Sequence, residues 1–119
     1  MKKILIIALV VAIAVTFVHD LGAYVSTRRA VVEAARDAAD VAAGLASSGR
    51  DTAARAAADK ALERGVTVYL YNQDETRVEV WTKKELEGTW VYQPVTGLIE
   101  GRPAEQPPVL EYYASTPIR

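Results

Sequence analysis

The chain contains no cysteine, a single histidine and no proline before Pro94. Without cysteine there is no disulfide framework, no thiol nucleophile and no Cys-type zinc site. This leaves the compartment open, because exported bacterial domains also do without cysteine. The lone His19 rules out a histidine-based metal cluster. There is no surplus of charge either. A net charge of -1 and a pI near 5.8 supply no basic field for nucleic acid. No GxSxG, P-loop, Rossmann glycine run, HExxH or EF-hand loop occurs. Catalytic, cofactor and metal sites are therefore not expected, nor is a small-molecule substrate.

What is present is unevenly divided. Residues 30–61 hold fourteen alanines in thirty-two positions, and seven of the nine aromatics fall between Tyr69 and Tyr113. All five prolines lie in the last twenty-six residues. That shift predicts a helical N-terminal half and a β-rich C-terminal half, an α+β chain. At 119 residues it has room for one modest domain and an anchor.

The start, "MKKILIIALVVAIAVTFVHD", sets two lysines before fifteen uncharged residues, Ile4 to Val18. Those fifteen span only ~22 Å of helix, against ~30 Å of bilayer hydrocarbon. Between Ile4 and Thr27, however, only His19 and Asp20 are titratable or charged, and that length suffices. Asp20 falls ~26 Å of helix beyond Lys3, near the far interface, where a carboxylate costs much less than at mid-bilayer. Lys2 and Lys3 favour a cytoplasmic N-terminus, with the C-terminal head outside the cytoplasm. Arg28 and Arg29 beyond the span weaken that bias.

A cleaved signal peptide is the rival reading, with Leu21-Gly22-Ala23 as its cleavage site. Leucine fits that site poorly. Phe17, Leu21, Tyr24, Val31, Ala35, Ala38, Ala42 and Leu45 moreover share one helical stripe that crosses it. The stripe favours one continuous helix from Ile4 to about Ser47, ~66 Å long.

Beyond the anchor, Val31, Ala34, Ala35, Ala38, Val41, Ala42 and Leu45 form an apolar face. Arg29, Glu33, Arg36, Asp37 and Asp40 form the polar one, with Arg36 and Asp40 spaced as an i,i+4 pair. An alanine face buries little area but lets two backbones approach closely. A second helix follows in "SSGRDTAARAAADKALERG", with Asp51 or Thr52 as N-cap and Gly65 as the stop. An αα-hairpin over 28–65 is expected.

From Val66 the period becomes two. "VTVYLY" sets Val66, Val68 and Leu70 against Thr67, Tyr69 and Tyr71, "NQDET" is a turn, and "RVEVWT" puts Val78 and Val80 on one face. "GTWVYQP" is read as a third strand and "VLEYYAS" as a fourth, separated by the loop "GRPAEQPP". The head is thus residues 66–119, a small antiparallel sheet of about four strands. Trp81, Trp90, Tyr92, Tyr112 and Tyr113 could form a carbohydrate or peptide platform, but with no cluster of polar groups beside them they read first as strand and core residues. The carboxylates Asp74, Glu75, Glu85 and Glu87 read as solvated turn residues.

"HDLGAYVSTRR" followed by "AARDAADVAAGLA" and a β-rich tail resembles the TadE/TadG-like pseudopilins of the tight-adherence (Flp-type) pilus system. Asp20, Gly22, Tyr24, Arg28 and Arg29 stand where that family carries its aspartate, glycine, aromatic and basic residues. Asp40 falls in the family's alanine-aspartate segment. The prepilin-peptidase signal is missing, since Lys3 precedes Ile4 directly. The resemblance implies a membrane-held or filament subunit with an N-terminal membrane or filament-core helix, residues 1–27. Its partners would be copies of itself or related pilins, with Asp20 meeting a neighbour's Arg28 or Arg29, or acting only as a helix-end carboxylate. An exported, membrane-tethered or secreted β-rich binding module is the alternative.

Overall fold

The computed structural model describes residues 1–103 and 105–118. They form an α+β chain in the order α1 (Lys2–Leu45), a 3-10 turn (Ala46–Ser48), α2 (Arg50–Leu62), β1 (Thr67–Gln73), β2 (Arg77–Glu85), α3 (Tyr92–Glu100) and β3 (Val109–Pro117). Two compact units result. One joins Met1–Ser26 to Leu86–Pro108, and the other joins Thr27–Glu85 to the segment from Val109 onward. In the second unit α2 and the sheet share a core.

Helix α1 runs unbroken through Leu21-Gly22-Ala23, with neither a proline nor a capping residue to stop it. Its alanine portion buries Val31, Ala34, Ala35, Ala38, Ala39, Ala42 and Ala43. The buried face is therefore turned toward Ala39 and Ala43, while Val41 and Leu45 are only half-buried. Helix α2 adds Ala53, Ala57 and Ala61 at i,i+4 spacing, and these join Val66, Val78, Val80 and Ala114 in one core cluster. Small side chains on both helices let the elements approach closely, which compensates for the modest area each methyl buries.

The cap of α2 differs from expectation. Gly49, at φ 111°, precedes the helix, and its carbonyl accepts the Ala53 N–H at 3.1 Å. Asp51 sits inside the first turn, where its charge favours the positive helix end. At the other end Gly65, at φ 69°, stops α2 as expected. Its N–H donates to Leu62 O and the Val66 N–H to Ala61 O, the Schellman pattern that places Val66 in the core. Arg64 then forks onto α1, donating from Nη1 to Glu33 Oε2 at 2.9 Å and from Nη2 to Asp37 Oδ2 at 3.0 Å.

The sheet is antiparallel with order β1-β2-β3. Val78, Val80 and Thr82 of β2 point inward, and the Thr82 hydroxyl donates to Val31 O of α1 at 3.2 Å. The expected alternation in β1 fails partway. A bulge between Val68 and Leu70 sets Val68 opposite Thr82 but Leu70 opposite Trp81. One extra residue exchanges the faces beyond it. Leu70 is 51% exposed, while Tyr71 turns toward the core.

The expected third strand, "GTWVYQP", is not one. Its first residues are irregular, and Tyr92 opens helix α3. Aromatic content had suggested β structure, but Pro94 in a first turn and Gly101 at the end (φ 74°) are helix start and stop signals. The expected fourth strand is β3, the third of the sheet. In the expected loop Gly101–Pro108, Ala104 lies outside the described residues.

Leucine at position 38 should overfill the alanine core. Ala38→Leu is expected to destabilise the unit by about 1–3 kcal/mol in denaturant unfolding; an unchanged midpoint would mean that the seam has room to spare. The β1–β2 turn offers a pH test. Asp74 Oδ1 accepts from the Thr76 N–H, the Arg77 N–H and the Thr76 hydroxyl at 2.7–2.9 Å. These bonds hold its carboxyl below the ordinary value. A depressed folded-state value means stabilisation that is complete above the unfolded value, about pH 4, and lost as acid protonates the folded form. The melting-temperature gap between the parent chain and Asp74→Ala should therefore be present at neutral pH and close below about pH 4. A gap independent of pH would assign the turn's stability to something other than this carboxylate.

Candidate functional site

The residues singled out in the sequence separate into two environments. Val31, Ala35, Ala38 and Ala42 are buried by their own chain, at 0–1% exposure, with Leu45 half-buried beside them. The alanine face, expected to pack on the next helix of its own chain, on a partner subunit or on both, is here covered by α2 and the sheet. The physical reason is proximity: the second alanine stripe follows on the same chain and needs no association to reach the first. Asp40, Arg28 and Arg29 are exposed on α1.

In the N-terminal unit the reverse holds. Every Val, Leu, Ile and Phe from Ile4 to Val25 is exposed, Phe17 at 66% and Leu21 among them. A Cβ placed on Gly22 would meet nothing within 4 Å, so no neighbour demands glycine there. This part of α1 is long and apolar enough to cross a membrane, and none of its most apolar stretch is buried.

Asp20 is engaged within its own chain. Its Oδ1 accepts the Trp90 N–H at 2.7 Å, and its Oδ2 accepts those of Val91 at 2.9 Å and Tyr92 at 2.8 Å. These amides lead into α3, whose first turn must find acceptors outside the helix. The remaining donors are also accounted for. The Gln93 N–H donates to Thr89 Oγ1 at 3.2 Å, Pro94 has none to offer, and the Val95 N–H starts the helical ladder on Val91 O. A carboxylate from one helix therefore caps another some seventy residues away.

His19 completes the fastening. Its Nε2–H donates to Gly88 O at 2.6 Å, and its ring stacks on Trp90 with centroids 3.7 Å apart and planes 10° from parallel. One turn further along α1, Tyr24 meets Tyr92 at 6.1 Å between centroids. Of the residues taken from the sequence, Asp20 and Tyr24 are brought onto the Leu86–Pro108 segment, and His19 and Trp90 join them. Chain order could not reveal this clasp, because its halves lie so far apart in sequence. Among the described residues, no group of three His, Cys, Asp or Glu side chains could hold a metal ion.

Removing the carboxylate should free the clasp and little else. Asp20→Ala leaves three amides without their acceptor, a loss of about 1–2 kcal/mol for a helix cap. Hydrogen exchange at Trp90, Val91 and Tyr92 is expected to quicken about tenfold, while the amides of β2 stay protected. Unchanged exchange at those three positions would show that Asp20 does not hold α3.

No family model, curated protein or solved structure matches this chain, so the functional reading rests on its own residues.

Proposed function

We propose that the chain is a pseudopilin-like structural subunit of a tight-adherence or type IV-like surface filament, or of its assembly platform. Its N-terminal helix crosses the membrane or enters a filament core, and its head lies outside the cytoplasm. One observation carries this reading: from Ile4 to Val25 every Val, Leu, Ile and Phe of α1 is exposed. So long an uncovered apolar face requires lipid or other apolar helices around it. The pattern Asp20, Gly22, Tyr24, Arg28 and Arg29, followed by the alanine segment with Asp40, supports the pseudopilin assignment through the family resemblance. With the seam from Val31 to Ala42 filled internally, self-association falls to the stretch around Phe17, Leu21 and Gly22.

The outer face of the sheet supports a second reading, an exported binding module with no filament role. Trp81 and Tyr113 pack there at 4.9 Å between centroids, and the Lys83 ammonium sits 5.5 Å from the Tyr69 ring. Exposed Tyr69 and Tyr113 beside a half-buried Trp81 suit a sugar or peptide ligand.

The two readings part on fractionation and cross-linking. In a chain without cysteine, Leu21→Cys introduces a unique thiol. The subunit reading expects high-molecular-weight material in the sheared surface or membrane fraction, with Leu21→Cys cross-linking copies and Ala38→Cys, buried in the core, failing to do so. A soluble monomer lacking its first twenty-three residues would overturn the subunit reading in favour of the binding module.

A further inference from the structure

The segment Leu86–Pro108 leaves the sheet between β2 and β3 and folds with the N-terminal half of α1. Its helix α3 has a two-sided character. Val91, Val95, Leu98 and Ile99 recur at i, i+4, i+7 and i+8, all exposed, Leu98 at 85% and Ile99 at 79%. On the other side Gly97 is buried, and Thr96 accepts a hydrogen bond from Arg102 Nη2 at 2.8 Å. The one charged side chain within α3, Glu100, accepts from Arg102 Nε at 2.9 Å. The apolar face thus carries no charge.

We propose that α3 lies in the boundary between lipid headgroups and acyl chains, at the outer surface of the membrane that α1 crosses. This rests on the reading of α1 as a membrane span. The depth is set by the clasp: Asp20 and His19 hold the start of α3 where the uncharged run of α1 ends, ~26 Å of helix beyond Lys3. That level is the far interface, where Trp and Tyr concentrate, and Trp90, Tyr92 and Tyr24 are gathered there. Val91, at the start of α3, lines one crevice of about 340 Å³ together with Ala12, Ile13, Thr16, Phe17 and Asp20 of α1, so the apolar faces of the two helices adjoin around the capping carboxylate. A second copy is the poorer occupant, since the face of a nine-residue helix by itself falls well short of the ~800 Å² per partner of a stable protein interface. Asp20 gains a role from this placement. A cap supplied by a side chain satisfies backbone donors that lipid could not.

The test uses the full chain in phosphatidylcholine–phosphatidylglycerol bilayers, spin-labelled through single cysteines, which the native sequence leaves free to place. Labels at Leu98→Cys and Ile99→Cys are compared with Val11→Cys as the lipid reference and Glu105→Cys as the water reference. The expected result is a ratio of oxygen to nickel-chelate accessibility at 98 and 99 roughly fivefold above that at 105, as for a shallowly buried helix. Water-like values at 98 and 99 with Val11 in lipid would overturn this proposal and leave the span intact. Water-like values at Val11 would remove the span and the proposal together. Labels at 98 and 99 shielded from both reagents, and broadened by a second labelled copy, would give the face to a protein partner and overturn the lipid assignment. A measurement that leaves α3 unaltered guards against disruption by the labels. In Trp81→Phe, fluorescence of Trp90 should be quenched by lipids brominated near the headgroup, and its absence would equally overturn the proposal.

Discussion

Helix α1 is subject to a constraint that changes along its length. Where its own chain covers it, between Val31 and Ala46, almost every buried side chain is alanine, because neighbouring elements pack close and leave room for little more than a methyl group. Between Ile4 and Val25 the exposed side chains are mostly Ile, Leu, Val and Phe. Large side chains gain most from lipid or loosely packed apolar partners, and small ones from close approach. The core of the sheet-bearing unit depends on that second condition. Its largest fully buried side chains are valines, and a buried threonine spends its hydroxyl on the α1 backbone.

The clasp around Asp20 solves a different problem. A short helix such as α3 gains little from its own propensity, and its first amides need acceptors. The carboxylate of α1 supplies three bonds at one point, and His19 stacks on Trp90 beside it. In a family resemblance the aspartate at this position invites an intersubunit role. The geometry gives it an intrachain one, with both oxygens engaged.

These features bear on assembly. On the proposed pseudopilin reading, with the alanine face covered by its own chain, association would fall to the exposed anchor stretch around Phe17 and Leu21.

Much of this was legible along the chain, because helix and strand periodicity are local properties. The helical N-terminal half, the stop at Gly65, the β1–β2 hairpin and the inward Val78 and Val80 all follow from nearest-neighbour spacing and turn chemistry. Three features did not. The bulge that turns Leu70 outward depends on pairing with β2, and composition is silent about register. Helix α3 was hidden because Trp90, Tyr92 and Val91 favour strands on average, a preference that Pro94, Gly101 and a distant carboxylate overrule. The partner of Asp20 lies some seventy residues away. Sequence alone determined which segments are apolar, small-faced or alternating, since side-chain chemistry is carried residue by residue. Tertiary structure alone decided which apolar faces the chain covers and which amides the carboxylate receives, because both depend on what folding brings within a few ångströms.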